Sequence, residues 1–470
     1  MTGERRHSTL LRLSLGTCGV LTLTGLHQLS PGRAWRLATA LPLGCFIVLL
    51  LSAAASYLLE LHTIWEALVA SNVLNFLLKS GIVLVTFVAQ RAGLRRLQAQ
   101  LETLEGRAGP RAAGAGMLDQ LQAVFFWTLA ITFLVLWIFY ERATSHEHEN
   151  HYFVISWASE VLNSPPWTYA RYGFQLFVLF IGTCFMGAFD SCYFLWMKAA
   201  VFHLRVIRST LQECCQSRAT DDVEAGAVPK TAARVDGHRS WTGDGKSVTG
   251  TDGAPSANWR LKLWSGAVGD QKVTPGATLL LTAPAIKTLH DPSGQHDGGD
   301  ISATTLQELS DYYDDVCRYV TSVNQVTGLP SFVVHASTLM NILLDCYLVL
   351  RQVLHLDGAN TAHVLSYSLE LCLFVYRLSA YSLGGDAVSQ ESVALRRQLL
   401  DVPWRRLTAQ TSRQRDELLS KLQMPLAVVP LGFFTMKKGN LLSMTGLFLT
   451  YFVIIIQMVQ MAGVDKSQHP

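Results

Sequence analysis

LLSMTGLFLTYFVIIIQMVQM, from Leu441 to Met461, carries no charged side chain. Lipid offers a peptide group no hydrogen-bond partner, so a run this long and apolar is satisfied as a helix that crosses the bilayer. A hydrocarbon core about 30 Å thick takes about 20 residues of helix. Toward the N-terminus six more stretches meet that condition, at 37–59, 67–89, 121–140, 172–197, 331–350 and 361–383. The third contains AVFFWTLAITFLVLWIFY, and Gly328 and Pro330 precede the fifth. The pattern predicts an all-α, seven-transmembrane bundle.

Composition agrees. Half of the 470 residues are apolar and 16% are charged, below the roughly one quarter usual in soluble domains. The mean hydropathy is positive although one long stretch is plainly polar. A net charge of +3 gives no reason to expect nucleic acid as a partner, whereas membrane lipid is implied by every span. The alternative, buried core helices of a large soluble protein, fits neither the lengths nor the low charge.

Orientation follows from Lys and Arg in the short loops. The N-terminal segment holds Arg5, Arg6, Arg12, Arg33 and Arg36, and loop two holds Arg91, Arg95, Arg96, Arg107 and Arg111. Loop four opens with Lys198, Arg205 and Arg208, and loop six has Arg396, Arg397, Arg405, Arg406, Arg413, Arg415, Lys437 and Lys438. Loop one has no basic residue. Loop three has Arg142 and Arg171 among acidic residues, loop five has none after Arg351, and the tail has Lys466. The N-terminus and the even loops are therefore expected in the cytosol, and the C-terminus outside. The first residues resemble a signal peptide, but Arg12 interrupts the apolar run and no small-residue cleavage site follows. They are expected to lie on the cytosolic face.

Several motifs fall short of a function. GDGKSVTG has Ser240 where a phosphate loop needs glycine, so it predicts no nucleotide site. His146, His148 and His151 lack the spacing of a zinc protease; a solvated loop is expected there, with weak metal or pH sensing as the alternative. Nine cysteines lie mostly in spans or on the inner side, which implies no disulfide framework. No catalytic constellation or cofactor motif occurs, so no enzyme is expected. Loop four, 214–302, is low-complexity and is expected to be a disordered cytosolic linker. After it, Leu306, Leu309, Tyr313, Val316, Tyr319, Val320 and Val323 recur at helical spacing, which predicts a cytosolic helix leading into the fifth span. Residues 393–400 and 407–422 read as two further amphipathic helices, together forming a packed cytosolic base or lying on the membrane surface.

Polar groups inside a bilayer are costly and face the bundle interior. The fifth span carries His335, Asn341 and Asp345, and the sixth Glu370 and Arg377. The orientation puts Asn341, Asp345 and Glu370 in the outer half. Asn72 and Asn75, Trp137 and Tyr140, Gln175, and Tyr367 fall there too. Polar acceptors beside aromatic rings suit a small-molecule pocket; the alternative is interhelical glue. In the seventh span Thr450, Ile454, Gln457 and Met461 share one face, and Ile454 shares another with Met458. Sparse polar groups on an apolar helix can line a pore that gates by dewetting; a packed bundle helix is the alternative.

Thr450-Tyr451, five apolar residues and Gln457 resemble the C-terminal signature of arthropod gustatory receptors, Thr-Tyr, five apolar residues, Gln-Phe. Gly432-Phe433-Phe434-Thr435 before the last span is similar to the family as well, and the seven-span layout agrees over nearly the whole chain. The departures are Met458, where the family usually has Phe, and the long loop four. The resemblance implies a homotetrameric, ligand-gated, nonselective cation channel of the plasma membrane. Monovalent and divalent cations would permeate, and other gustatory receptor subunits are conceivable partners. It implies a pore built from the last span, with Gln457 and Met458 at the gate, Ile454 and Thr450 along the wall, and a tastant pocket in the outer half of spans two to six. The corresponding plan is a cytosolic segment 1–36, spans one to four 37–213, the loop 214–302, a helix extension with spans five and six 303–384, an anchor 385–440, and the pore span and tail 441–470.

A heptahelical G-protein-coupled receptor is the alternative from another class, and Tyr140-Glu141-Arg142 is its one point of likeness. That topology would invert the charge bias at every loop, and the last span has no Asn-Pro element. A transporter would show an internal repeat or a pair of broken helices, and neither is visible.

Overall fold

The computed structural model describes residues 64–108, 165–225, 303–354, 361–401 and 408–467, with isolated positions at 44, 47, 48 and 51. From residue 64 onward the described residues form seven α-helices and no strand. They are α1 (Ile64–Ala89), α2 (Arg91–Ala108), α3 (Pro165–Ala225), α4 (Ala303–Leu354), α5 (Thr361–Asp401), α6 (Ala409–Lys421) and α7 (Lys438–Ser467). The chain is a helical, membrane-type bundle.

Three helices are far longer than a bilayer is thick. α3 has 61 residues, α4 has 52 and α5 has 41. At 1.5 Å per residue α3 runs roughly 90 Å, about three times the hydrocarbon core. By length and composition Leu176–Cys214 and Thr304–Leu350 can cross a membrane, and α1 with α2 counts as a third if that pair, bent by 70°, is one span. Those are the helices that meet the test among the described residues. The spans expected at 361–383 and 441–461 fall on α5 and α7, which are helical throughout those ranges. Those at 37–59 (bar the isolated positions) and 121–140 lie outside the described residues.

Side-chain contacts fix the directions. Asn75 of α1 meets Asn341 of α4, a Cβ on Gly93 would meet Val326, and Arg107 of α2 pairs with Asp315 at 2.8 Å. α1 and α2 therefore run antiparallel to α4. α3 also opposes α4, since Tyr319 Oη donates to the Trp196 carbonyl and Tyr312 Oη lies 2.8 Å from His203 Nδ1. α3 and α5 run together: Arg377 binds Asp190, and further along Arg205 and Arg208 both grip Glu391, each at 2.7 Å. The more polar part of each long helix thus gathers at one end of the bundle.

That end is a packed base. All seven stripe positions expected on the helix before the fifth span are buried, Leu306 through Val323. They meet Leu97, Leu101 and Leu104 of α2, Leu204, Ile207 and Leu211 of α3, Leu395 and Leu399 of α5, and Leu418 of α6 in one core. Lys421 ties α6 to α4 through Asp314 and Ser310, at 2.7 and 2.8 Å. Partial loss of water pulls its ammonium down, but the bonds to Asp314 and the pairing with Glu417 outweigh this and leave its pKa raised.

The structure redraws several boundaries. Residues 393–400 are not a separate helix, because α5 continues unbroken from the sixth span to Asp401. α3 likewise runs past Cys214 into the region read as a linker, since CCQSRATDDVEA contains no Gly or Pro to stop it. α2 was not anticipated at all: Leu97, Leu101, Leu104 and Ala108 repeat at helical spacing, in a stretch read only for its arginines. Second, α6 begins at Ala409 with Thr408 as N-cap, its hydroxyl accepting from the Thr411 amide.

Between α6 and α7 the chain climbs along α4 as an extended linker. Asn324 donates to the Ala427 carbonyl and accepts from the Val429 amide, holding the linker backbone at two points. Leu431 and Gly432 take positive φ at 50° and 77°, and the turn they make lies against Gly328, where an added Cβ would sit 3.3 Å from the Leu431 nitrogen. Met436 then packs on Gly385 of α5 so closely that a Cβ there would collide with the Met436 Cβ. Gly385→Val should therefore cost about 1–3 kcal/mol by overpacking and lower the melting temperature of the purified protein. Gly106→Ala, with open space at its Cβ, should leave that temperature unchanged or raise it.

Candidate functional site

Among the described residues, two polar groupings interrupt the apolar part of the bundle. The first lies between α1, α4 and α5. Asn75 of α1 donates to the Asn341 side chain of α4 and, at 3.4 Å, to the Ser337 carbonyl. Lys79 follows Asn75 by one turn on α1, and Asp345 follows Asn341 by one turn on α4. The helices are antiparallel and side chains lean toward each helix N-terminus. Lys79 and Asp345 therefore lean toward the asparagine pair from opposite sides. Lys79 is 2% exposed, and its ammonium stands over the rings of Phe76 and Phe374 at 5.5 and 5.1 Å. Asp345 is fully buried and neither of its carboxylate oxygens has a hydrogen-bond partner. Glu370 of α5 is buried near enough to bear electrostatically on both.

The second grouping lies deeper. The Asp190 carboxylate of α3 accepts from Arg377 and from Tyr381 Oη, both on α5. All three are largely buried, and a paired, hydrogen-bonded ion pair is how a bundle interior tolerates charge. The Tyr193 ring meets the Tyr381 ring edge-on at 5.0 Å, and Tyr193 Oη donates to Met436 Sδ at 3.3 Å. Asp190 and Arg377 both lie within electrostatic reach of Lys79. Polar and aromatic contacts thus run from the second grouping to the linker that feeds α7, with the first grouping within electrostatic reach.

α7 itself packs along one stripe. Leu441, Met444 and Phe448 meet Ile342, Phe374 and Leu378 of α4 and α5. At 100° per residue the opposite side carries Ser443, Gly446, Thr450 and Gln457, and all four are exposed. The flanks between are large and apolar, with Leu442, Leu449 and Val453 on one and Leu447, Tyr451 and Ile454 on the other, all exposed.

The structure gathers some of the residues singled out by sequence and not others. Asn75, Asn341, Asp345 and Glu370 come together, and Tyr367 is buried one turn before Glu370 on α5. Asn72 lies on α1 and Gln175 on α3; their side chains are outside the description. Trp137 and Tyr140 lie outside the described residues, as does the histidine cluster at 146–151. Met458 and Met461 belong to α7 without described side chains. Sequence reading passed over Lys79 and Asp190. Each is a lone charge inside an otherwise apolar span, the same signal that picked out Asp345. Among the described residues, no group of His, Cys, Asp or Glu is placed to hold a metal ion.

Comparison with known proteins places this arrangement. Residues 283–462 match the family model described as 7tm chemosensory receptor. No curated protein matches the chain. The fold is similar to the insect olfactory receptor OR5 from Machilis hrabei, with TM-score 0.65 and 14% identity over 95% of this chain and 97% of that one. It is equally similar to the same receptor in complex with eugenol, with TM-score 0.63 and 15% identity over 96% of this chain and 97% of that one. The chain is thus similar to the insect-type chemosensory receptors, by that family model over its C-terminal part and by fold over nearly its whole length.

Proposed function

We propose that this receptor is a gustatory-type, ligand-gated, nonselective cation channel of the plasma membrane, assembled as a homotetramer and opened by a small external tastant. The observation that carries the reading is the packing of α7. One stripe is committed to its own subunit, two apolar flanks are uncovered, and the side opposite the stripe is small and polar. Four copies around an axis would bury the flanks on one another and turn Ser443, Gly446, Thr450 and Gln457 toward the axis. Ile454, on the edge of that side, would narrow the lumen, with Met458 beside Gln457 at the gate. A wet face broken by apolar rings conducts when wide and dewets when narrow.

The ligand pocket would be the upper polar grouping, with Asn72, Asn75, Asn341, Asp345, Tyr367 and Glu370, completed by Trp137, Tyr140 and Gln175. That the related olfactory receptor was solved with eugenol supports a small molecule as ligand. A ligand that binds one arrangement of these helices more tightly shifts the population toward it. The contacts from Asp190 through Tyr193 to Met436 give that shift a route to α7. The motif Thr450-Tyr451 to Gln457 favours taste over smell, and the arginine pattern favours a cytosolic N-terminus with the base and anchor inside.

Gln457→Ala should change single-channel conductance or ion preference in expressing cells, while surface abundance stays normal; unaltered currents would remove Gln457 from the pore wall. An epitope tag after Pro470 should stain intact cells. Staining only after permeabilisation would overturn both the orientation and the channel reading.

A further inference from the structure

Asp345 and Lys79 pose a problem that packing alone does not answer. A buried carboxylate with no hydrogen-bond donor is costly. Here a cation lies within electrostatic reach, yet none of the ion pairs among the described residues includes Lys79. Interhelical glue would bring the two into contact. Instead the ammonium rests on two ring faces, and both Asp345 oxygens stay open. Ser337 Oγ, buried two turns before Asp345 on α4, also lacks a partner. Unsatisfied groups of this kind mark sites where something else supplies the partner.

The chemistry of that partner is constrained by charge. A ligand cation would meet the Lys79 ammonium, with Arg377 close by. A ligand anion would meet Asp345 and Glu370. Like charges at short range in a low-dielectric interior are strongly disfavoured. A hydroxyl group adds no charge, donates one hydrogen and accepts through its lone pairs. Ligand hydroxyls can give a hydrogen to Asp345 and receive one from Lys79. We infer that the receptor recognises a hydroxyl-bearing ligand that donates to the Asp345 carboxylate and accepts from the Lys79 ammonium across the Asn75–Asn341 pair.

The inference rests on the pocket half of the proposed function and not on the pore. A site that hydrogen-bonds a substrate hydroxyl rejects the analogue lacking it far more sharply than an apolar pocket rejects a missing methylene. Capping the oxygen with a methyl removes the donor and leaves Asp345 unpaired.

The test uses the full-length receptor in lipid nanodiscs, with thermal stabilisation as the readout, and the same panel on expressing cells, with current as the readout. The probes are glucose, myo-inositol, glycerol, octan-1-ol and phenol, each beside its O-methylated counterpart, together with octylamine. At least one hydroxylated probe should stabilise the receptor and its methyl ether should not. Asp345→Asn and Lys79→Met should each raise the concentration needed by about tenfold or more. Neither should lower the melting temperature without ligand, because each removes a buried charge that has no ion-pair partner within bonding distance. A marked loss of unliganded stability in both variants would assign the pair to structure and overturn the inference. So would equal effects of alcohols and ethers, a response to octylamine alone, or no stabilisation by any hydroxylated probe. Hydroxyl-dependent binding without current would leave this inference standing and remove the channel reading. Currents evoked equally by alcohols and ethers would do the reverse.

Discussion

α4 is the helix on which the others depend. Its polar half, from Ala303 to Pro330, buries Leu306, Leu309, Tyr312, Tyr313, Val316, Tyr319, Val320 and Val323, a stripe about 140° wide at 100° per residue, while Asp311, Arg318 and Thr321 on the other side are exposed. An apolar stripe of that width and length must be covered by other helices. α2 and α3 meet this half from two sides, α6 is pinned to it through Lys421, and the linker to α7 is held by Asn324. The same rigid rod then continues into the apolar half, where it carries Asn341 and Asp345 to α1 and gives α7 part of its packed stripe. One element therefore spans the base, the polar grouping and the seat of α7.

This arrangement puts two kinds of strain at different levels. At the base, carboxylates are paired: Glu391 holds two arginines, and Asp314 and Asp315 hold Lys421 and Arg107. Within the apolar part the satisfied pair is Asp190–Arg377, while Asp345 above it is not satisfied. A bundle that tolerates an open carboxylate at one level and none at the next has its chemistry there. The linker adds a second constraint. Gly385 lets Met436 approach α5 closely, and Tyr193 reaches the same methionine, so a shift of α3 against α5 moves Met436 in the linker just before α7.

Much of this was legible in the chain. Lipid allows few backbone solutions, so the apolar runs at 67–89, 172–197, 331–350, 361–383 and 441–461 marked their helices, and the seven-residue stripe from Leu306 to Val323 announced the buried base. Charges inside spans stood out for the same reason, although Lys79 and Asp190 were passed over. Other features were invisible in principle. Nothing in GGDAVSQESVALRR says that α5 carries on through two glycines; tertiary packing on Met197 and Met436 keeps Gly384 and Gly385 helical. The pairing of Asp190 with Arg377, far apart in sequence, depends on which helices become neighbours. Which face of α7 is covered was likewise undetermined, because its flanks are apolar nearly all round and only the partners in α4 and α5 choose the stripe.

The central claim is that α7 turns the side opposite that stripe toward an ion path. Single cysteines placed along α7, tested for block by a charged thiol reagent during ligand-evoked current, measure this directly. The account predicts rapid block at Ser443, Gly446, Thr450 and Gln457, and none at Leu441, Met444 and Phe448. Block along the packed stripe, or none at the four polar-side positions, would contradict it.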